Sequence, residues 1–287
     1  MKLDDLIENN INIETEMYSS IIGESPSKGA RSPVLWNKAY KDFNINNQMH
    51  PFDVSSDKLI SLLNYLNTDK FYTGGAITMP YKESIFEWLG ENVSQEAKSI
   101  GAVNCLFRSE NGNLFGTNTD GEASLLSAKN ILGDLKGKKV LQLGCGGAGK
   151  AVAAFFSHEG VKLTIATRSA KGISDFAKKI SATTINWDEI SYMKGDCEII
   201  INTTSVGFRD DSSTPVTETM LTDSNLLLVY DIIYEPLQTT LLALAEKNGI
   251  ATLNGLDMNL KQAVIAFNYA NNIEDGSLTS EFMKEAE

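Results

Sequence analysis

The feature of the sequence that most limits its possible folds is a series of short apolar segments in its second half. Helical patterns separate these segments, and apolar residues dominate each of them: KVLQLG (139–144), KLTIAT (162–167), EIIINTT (198–204) and LLLVYDII (226–233). Strands that are buried on both faces of a parallel sheet have this composition. The pattern therefore predicts a doubly wound α/β unit in the second half of the chain.

The first half also alternates strands and helices, although less regularly. The predicted strands are residues 19–23 and 72–79, the predicted helices are residues 32–43 and 56–66, and residues 102–118 read as a hairpin. Asn111-Gly112 is expected to supply both positive φ angles of a two-residue turn in that hairpin. A long helical pattern covers residues 255–272.

The predicted fold class is therefore α/β with two lobes. Residues 1–119 would form a substrate-binding domain, and residues 120–254 a Rossmann-type nucleotide-binding domain. The C-terminal helix would return to the first lobe, so that residues 255–287 pack against it.

Composition excludes several classes of function. The chain has 287 residues, with 25 Lys and Arg against 37 Asp and Glu, and a net charge of −12 disfavours nonspecific nucleic-acid binding. Its three cysteines are far apart and only two histidines are present, so we expect no metal site and no disulfide framework. No apolar run has the length of a membrane span, and no signal peptide is evident. We expect a cytoplasmic protein.

A glycine-rich motif follows the strand at 139–143 and precedes a helix. It reads Gly144-Cys145-Gly146-Gly147-Ala148-Gly149. Gly144 permits a tight turn, Gly146 lets the backbone approach a diphosphate, and Gly147 and Ala148 begin a helix whose free N–H groups attract anions. In this context the motif predicts a dinucleotide site, and the alternative is a glycine-rich turn with no ligand.

The end of the next strand distinguishes NADP from NAD. An acidic residue that could bind the ribose 2′-hydroxyl is missing from residues 166–172. Arg168 can instead hold a 2′-phosphate, with Thr167 and Ser169 as neighbouring donors. NADP is the predicted cofactor. The alternative is a solvated arginine that pairs with Asp175.

Hydride exchange with a nicotinamide needs a side chain that handles the accompanying proton. His50, which precedes a proline, and His158, which lies in a helix, are poor candidates. Lys82 follows an apolar strand and a proline, and Asp120 lies in GTNTDG, between the hairpin and the next helix. Lys82 with Asp120 is the preferred acid–base pair, although an exposed lysine and an N-capping aspartate are the ordinary alternatives.

Several segments together resemble the shikimate dehydrogenase family over about residues 18–270. They are ITMPYKE, GAVNCL, GTNTDG, LGCGGAGKAV, ATRS, INTTSVG, DIIYEPLQT and NGLDMNLKQA. The resemblance implies NADP-dependent, reversible interconversion of 3-dehydroshikimate and shikimate, with Lys82 and Asp120 as the catalytic residues. It further implies substrate contacts from Ser32, Thr78, Asn104, Tyr234 and Gln262, and cofactor contacts from Thr203, Ile232 and Gly255.

The sequence departs from the family pattern where a substrate carboxylate would bind. Ala30 replaces the first serine of a serine-x-serine-proline segment, and Ala76 stands where asparagine is common. Lys28 or Arg31 could hold a carboxylate instead. If nothing compensates for the two losses, affinity for shikimate falls roughly 10- to 1000-fold.

Other functions therefore stay open at this point. The chain could act on quinate or another related cyclic acid, or it could bind NADP or a metabolite without turnover. A folate-linked dehydrogenase fits residues 116–121 and 255–263 poorly. The expected partner is a small-molecule substrate, with no nucleic acid and no membrane, and both a monomer and a homodimer are compatible with the sequence.

Overall fold

The structure is a computed structural model that describes residues 2–210 and 212–286. The chain divides into two compact units, Met1–Thr119 with Leu260–Glu287, and Asp120–Asn259. The C-terminal segment thus joins the first unit at Leu260 rather than at Gly255. The reason is the close packing of Gly255 inside the second unit, where a Cβ atom would lie 1.9 Å from the carbonyl oxygen of Ile232.

The first unit contains a five-stranded mixed sheet in the order β2-β1-β3-β4-β5. Its strands are β1 (Met17–Gly23), β2 (Asn47–Asp53), β3 (Tyr72–Ile77), β4 (Cys105–Arg108) and β5 (Leu114–Thr117). β1 runs parallel to β2 and β3, and β4 runs antiparallel to β3 and β5. The helices are α1 (Ser32–Asp42), α2 (Leu59–Thr68), α3 (Lys82–Leu89) and α4 (Gln95–Ile100).

Both faces of this sheet are covered by apolar side chains. One cluster includes Ile22 of β1, Phe52 of β2 and Leu62 of α2. The other includes Trp36 of α1 and Phe267 of the C-terminal segment, whose rings meet edge to face at 5.2 Å. Because the C-terminal helix supplies part of this second cluster, residues from Leu260 onward belong to the same core as β1 and β3.

The β4–β5 hairpin differs from its prediction at Asn111. Only Gly112 has a positive φ, at 77°, and its N–H donates to the Ser109 carbonyl at 2.8 Å. This bond closes a turn over Ser109–Gly112, so a single left-handed residue suffices. The expectation of a positive φ at Asn111 was wrong.

The second unit contains a six-stranded sheet in the order β11-β10-β9-β6-β7-β8, with every neighbouring pair parallel. Its strands are β6 (Lys139–Leu143), β7 (Lys162–Thr167), β8 (Thr183–Asn186), β9 (Ile199–Asn202), β10 (Leu228–Asp231) and β11 (Ala251–Leu253). The chain builds β6–β8 to one side and then returns to build β9–β11 on the other. The topological switch therefore lies between β6 and β9, where α/β sheets bind ligands.

Five helices follow or connect these strands. They are α5 (Asp120–Leu132), α6 (Gly147–His158), α7 (Ser174–Lys179), α8 (Thr240–Lys247) and the start of α9 (Gly255–Asn271). From Leu260, α9 belongs to the first unit, which also contains α10 (Ser277–Lys284). The predicted α/β fold class, with a Rossmann-type second unit and a returning C-terminal helix, is confirmed. Within the described residues, each helix is too short or too polar to cross a membrane.

Candidate functional site

The carboxyl ends of β1 and β3 meet at one edge of the first sheet. β1 ends at Gly23, and β3 is followed directly by Thr78. A Cβ atom at Gly23 would lie 2.3 Å from Cγ2 of Thr78, so only glycine allows this approach. The Thr78 N–H donates to the Ile22 carbonyl at 2.9 Å, which continues the β1–β3 pairing beyond the strand.

Lys82 stands at the same edge as the first residue of α3 and is half-buried. Its backbone carbonyl accepts a hydrogen bond from the Val103 N–H at 3.0 Å. The preceding Tyr81 is buried, and its hydroxyl donates to the Val54 carbonyl at 2.6 Å. The main chain that carries Lys82 is thus held on both sides, which gives the lysine a fixed origin at the sheet edge.

Asn104 connects β3 to the segment after the hairpin. Its carbonyl accepts from the Ile77 N–H at 2.7 Å, and its side chain both donates to the Thr119 hydroxyl at 3.0 Å and accepts from the Thr119 N–H at 2.8 Å. The Thr119 hydroxyl also lies 3.2 Å from the Gln262 carbonyl. Asn104 and Gln262, both predicted to bind substrate, are therefore joined through one threonine.

Ser32 opens α1, where Arg31 rather than Ser32 occupies the N-cap position. Ser32 as a whole residue is only 7% exposed, and within residues 2–210 and 212–286 neither Ser32 nor Thr78 has a side-chain hydrogen bond. Ala30 and Ala76 both pack against the apolar cluster that contains Trp36. The edge of the first unit thus keeps two hydroxyl groups and has two apolar residues where the family pattern has polar ones.

Lys28 and Arg31 flank this position. Lys28 is exposed at the end of a short 3-10 helix, and Arg31 is half-buried beside Ser32.

Asp120 belongs to the second unit, where it is the first residue of α5 and is 6% exposed. The next residue, Gly121, packs α5 against α6. A Cβ atom there would lie 2.3 Å from the Phe155 ring and 2.5 Å from the Ala151 carbonyl oxygen. This close helix packing fixes the start of α5 and with it the position of Asp120. Tyr234 lies after β10 in the same unit and is half-buried.

The glycine motif forms the turn between β6 and α6. Gly144 has a φ of 91°, and its N–H donates to the Ala166 carbonyl at 2.8 Å. A Cβ at Gly149 would lie 2.6 Å from the Thr203 hydroxyl oxygen. In contrast, the space where Cβ atoms of Gly146 and Gly147 would stand has no atom within 4 Å. Thr203, which follows β9, closes one side of the motif, and the side at Gly146 and Gly147 is open, which suits a bound diphosphate.

Cys145, in this turn, is an uncharged thiol. Burial raises the pKa of Cys145 to about 11, and the nearby positive charge of Lys150 opposes that effect only in part. The thiol is therefore uncharged at pH 7 and does not repel an anion.

The basic segment after β7 is exposed. Thr167 is the last residue of β7, and Arg168 and Ser169 follow it on the surface. The Ser169 hydroxyl accepts a hydrogen bond from the Gly172 N–H at 3.3 Å. In the part of the chain that the structure describes, Arg168 forms no ion pair with Asp175 or another carboxylate. Its guanidinium is available for an anionic ligand.

Ile232 and Gly255 lie against each other beyond β10. The Gly255 N–H donates to the Ile233 carbonyl at 2.9 Å, and the missing Cβ of Gly255 lets the chain contact Ile232. Two buried polar residues beneath them, Asn202 and Asp231, were not recognised from the sequence. Asp231 accepts hydrogen bonds from the Asn202 amide at 3.0 Å and the Thr239 hydroxyl at 2.8 Å, and burial raises its pKa to about 6.

A single polar residue within an apolar strand is the signal that could have revealed these groups. The same holds for Gln142 in KVLQLG. Groups of three or more side chains that could hold a metal ion are absent from the described residues.

Comparison with known proteins adds the deciding observation. Residues 21–106 match the model of the shikimate dehydrogenase substrate-binding domain, and residues 126–232 match that of shikimate/quinate 5-dehydrogenase. The chain is 35% identical to shikimate dehydrogenase (NADP⁺) of Caldanaerobacter subterraneus over 260 residues, covering 88% of this chain and 91% of the relative. This chain belongs to the shikimate dehydrogenase family.

Two further members show the extent of the similarity. Shikimate dehydrogenase (NADP⁺) of Carboxydothermus hydrogenoformans is 36% identical over 264 residues, with 90% of this chain and 92% of the relative covered. The crystal structure of shikimate 5-dehydrogenase from Thermus thermophilus in complex with NADP(H) and shikimate superposes with a TM-score of 0.82 at 26% identity, covering 94% and 100% of the two chains. The predicted membership of this family is confirmed.

Proposed function

We propose that this protein is an NADP-dependent shikimate dehydrogenase that reversibly reduces 3-dehydroshikimate to shikimate. The observation that carries the proposal is the arrangement of Lys82, Thr78 and Asn104 at one edge of the first sheet, with hydrogen bonds fixing their main chain. Membership of a family whose named relatives are NADP⁺-dependent shikimate dehydrogenases supports the choice of substrate and cofactor.

We assign the substrate to the first unit and the cofactor to the second. In the first unit, the proposed substrate ligands are Ser32, Thr78, Asn104 and Gln262. Tyr234, in the second unit, is a proposed substrate ligand by the family resemblance alone. NADP would be held by the glycine motif and the exposed basic segment, with the contacting residues Gly144, Gly146, Gly147, Ala148, Thr167, Arg168, Ser169, Thr203, Ile232 and Gly255.

NADPH, when bound, supplies the hydride that the ketone carbon receives. The Lys82 ammonium group gives its proton to the carbonyl oxygen as that oxygen becomes an alcohol, and in the reverse direction the neutral amine takes the proton back. By the family resemblance, Asp120 is the second proposed catalytic residue. Ser32 and Thr78 would donate hydrogen bonds to the carboxylate.

A related cyclic acid such as quinate is the second candidate substrate. The specific observation in its favour is the apolar surface that Ala30 and Ala76 form with the Trp36 cluster. Fewer polar groups at this position reduce the number of hydrogen bonds that a carboxylate can receive. Lys28 or Arg31 could compensate by charge.

The test is a panel assay with purified full-length protein. Shikimate, quinate and related cyclohexene acids are each mixed with NADP⁺ or NAD⁺, and formation of the reduced cofactor is followed by absorbance. We expect turnover of shikimate with NADP⁺ at the highest kcat/KM. Faster turnover of quinate would replace the substrate assignment. NADP⁺ binding without turnover of any acid would contradict the enzyme assignment.

A further inference from the structure

Gln142 is a fully buried amide in the middle of the second sheet. It lies on β6, and its register neighbours are Ile165 on β7 and Ile201 on β9. A primary amide between two isoleucines loses its hydration on folding, and burial of that kind is tolerated only where protein groups replace the lost water. The contacts of this side chain therefore identify its role.

The Gln142 amide spans the glycine motif from below. Its Nε2 donates to the Gly144 carbonyl at 3.0 Å and to the Gly149 carbonyl at 2.8 Å, so one side chain joins both ends of the turn. The Thr203 hydroxyl lies 2.8 Å from the Leu143 carbonyl and 3.1 Å from the Gly144 carbonyl, which makes Gly144 the common acceptor. The two N–H bonds of the Gln142 amide are thus fully used by the backbone of the motif.

The other half of the amide is unsatisfied. Within the described residues, Oε1 of Gln142 is buried and has no hydrogen-bond partner. A leucine or methionine would fill the same space between Ile165 and Ile201 without an orphaned oxygen. Because an unsatisfied buried acceptor costs free energy, stability of the fold does not explain the presence of an amide here.

We propose that Gln142 is a positioning residue that orders the glycine motif for the diphosphate of the dinucleotide. The inference rests on the proposed NADP-binding function. Four of the six residues from Gly144 to Gly149 are glycines, whose backbone has unusual conformational freedom. A motif that is already ordered loses less entropy when the ligand binds, and affinity rises accordingly. Gln142 does not touch the ligand in this account, and it acts through the backbone carbonyls of Gly144 and Gly149.

The experiment uses the full-length Gln142→Leu and Gln142→Met variants with two probes. NADP⁺ reports on the diphosphate and the 2′-phosphate together, whereas 2′-AMP carries only the nucleoside with its 2′-phosphate and reports on the Arg168 segment. We expect the Kd for NADP⁺ to rise about tenfold, as for the loss of one good hydrogen bond, and the Kd for 2′-AMP to stay unchanged. The melting temperature should equal or exceed that of the wild type.

Hydrogen–deuterium exchange of the ligand-free protein provides a second measurement. Amides of residues 144–149 should exchange faster in both variants, while those of β9 and β10 should keep their wild-type rates. Arg168→Ala serves as the matched control. It should weaken the binding of both NADP⁺ and 2′-AMP and leave the exchange of residues 144–149 unchanged.

Unchanged NADP⁺ affinity and unchanged exchange in the two variants would overturn the inference. Equal increases in the Kd values for NADP⁺ and 2′-AMP would also overturn it, since the substitution would then disturb the whole unit and not the glycine motif alone. A wild-type protein that binds neither probe would instead refute the proposed NADP function, and this inference with it.

Discussion

The two proposed ligand sites are constructed differently. In the first unit the proposed ligand groups are side chains, namely the hydroxyls of Ser32 and Thr78 and the ammonium of Lys82. The edge of the second sheet presents mainly backbone, in a glycine motif that is held by Gln142 and Thr203. A site made from side chains is sensitive to single substitutions, and we expect Ala30 and Ala76 to weaken the binding of a carboxylate. A site made from backbone keeps its ligand as long as its glycines and supports remain.

We expect the largest loss of activity on substitution of Lys82. Lys82→Ala should lower kcat about 10²- to 10⁴-fold, the usual contribution of a general acid, because no other group would protonate the forming alcohol. The Kd for NADP⁺ should stay at its wild-type value, since the glycine motif lies in the second unit. Steady-state rates and fluorescence titration measure the two quantities.

Lys70→Ala is the control for this loss. Lys70 is an exposed lysine of the same unit at the end of a helix–strand connection, so its removal should leave kcat unchanged. Turnover that persists in Lys82→Ala at near the wild-type rate would refute the mechanism.

Arg168 should show the next largest effect, and in the other unit. Arg168→Ala is expected to raise the KM for NADP⁺ about 10- to 100-fold, because a charge-assisted hydrogen bond to a phosphate is worth about 1.5–3 kcal/mol. The KM for NAD⁺, which lacks the 2′-phosphate, should hardly move. Equal changes for the two cofactors would contradict the assignment of this segment. Lys178→Ala, in the last turn of α7, provides a charge-matched control.

Restoring the polar residues tests whether Ala30 and Ala76 weaken the binding of shikimate to the first unit. The double variant Ala30→Ser with Ala76→Asn should lower the KM for shikimate by about tenfold, because each added hydrogen bond contributes about 0.5–1.5 kcal/mol. The KM for NADP⁺ should not change. A higher KM for shikimate would mean that the apolar surface fits the substrate as it is, and that the substrate differs from the family pattern.

The smallest predicted effect is on stability, where the two units respond to acid in opposite directions. Burial lowers the pKa of His50 in the first unit, and its Nε2 has no hydrogen-bond partner within the described residues. The unfolded chain therefore takes up the proton first, and the His50 contribution falls as the pH drops below about 6.5. The pKa of Asp231 in the second unit is raised to about 6, so its folded form takes up a proton first and gains stability as the pH falls from about 6 towards 4.

Urea denaturation at several pH values measures both slopes. His50→Gln should remove the acid destabilisation, and Asp231→Asn should remove the stability that the wild type gains as the pH falls from about 6 towards 4. Identical pH profiles for wild type and His50→Gln would show that this histidine does not titrate differently on folding.

The sequence predicted the strands and helices of the second unit better than those of the first. Buried parallel strands and a glycine motif leave a local signature, so β6, β7 and α6 were found within a residue or two. β8 was missed because TTIN is short and partly exposed, and β11 has only three residues. In the hairpin, Asn111 was given a positive φ because the rule for two-residue turns was applied to a turn that needs only Gly112.

Within the sites, residues defined by long-range packing could not be predicted. Gln142 and Asp231 were overlooked, because a polar residue inside an apolar strand reveals nothing about the carbonyls or amides that it will meet. The burial of Ser32 likewise depends on how α1 packs against the sheet. Conversely, Lys82 and Asp120 were selected through the required chemistry and the family resemblance, and their catalytic roles stay predictions.

The most direct test of this account measures the two ligands separately. Calorimetric titration of full-length wild type, Thr78→Val and Arg168→Ala with shikimate and with NADP⁺, each alone, distinguishes the two edges. We predict that Thr78→Val weakens only the binding of shikimate and that Arg168→Ala weakens only the binding of NADP⁺. A crossed pattern, in which Thr78→Val weakens NADP⁺ or Arg168→Ala weakens shikimate, would contradict the assignment of substrate and cofactor to separate units.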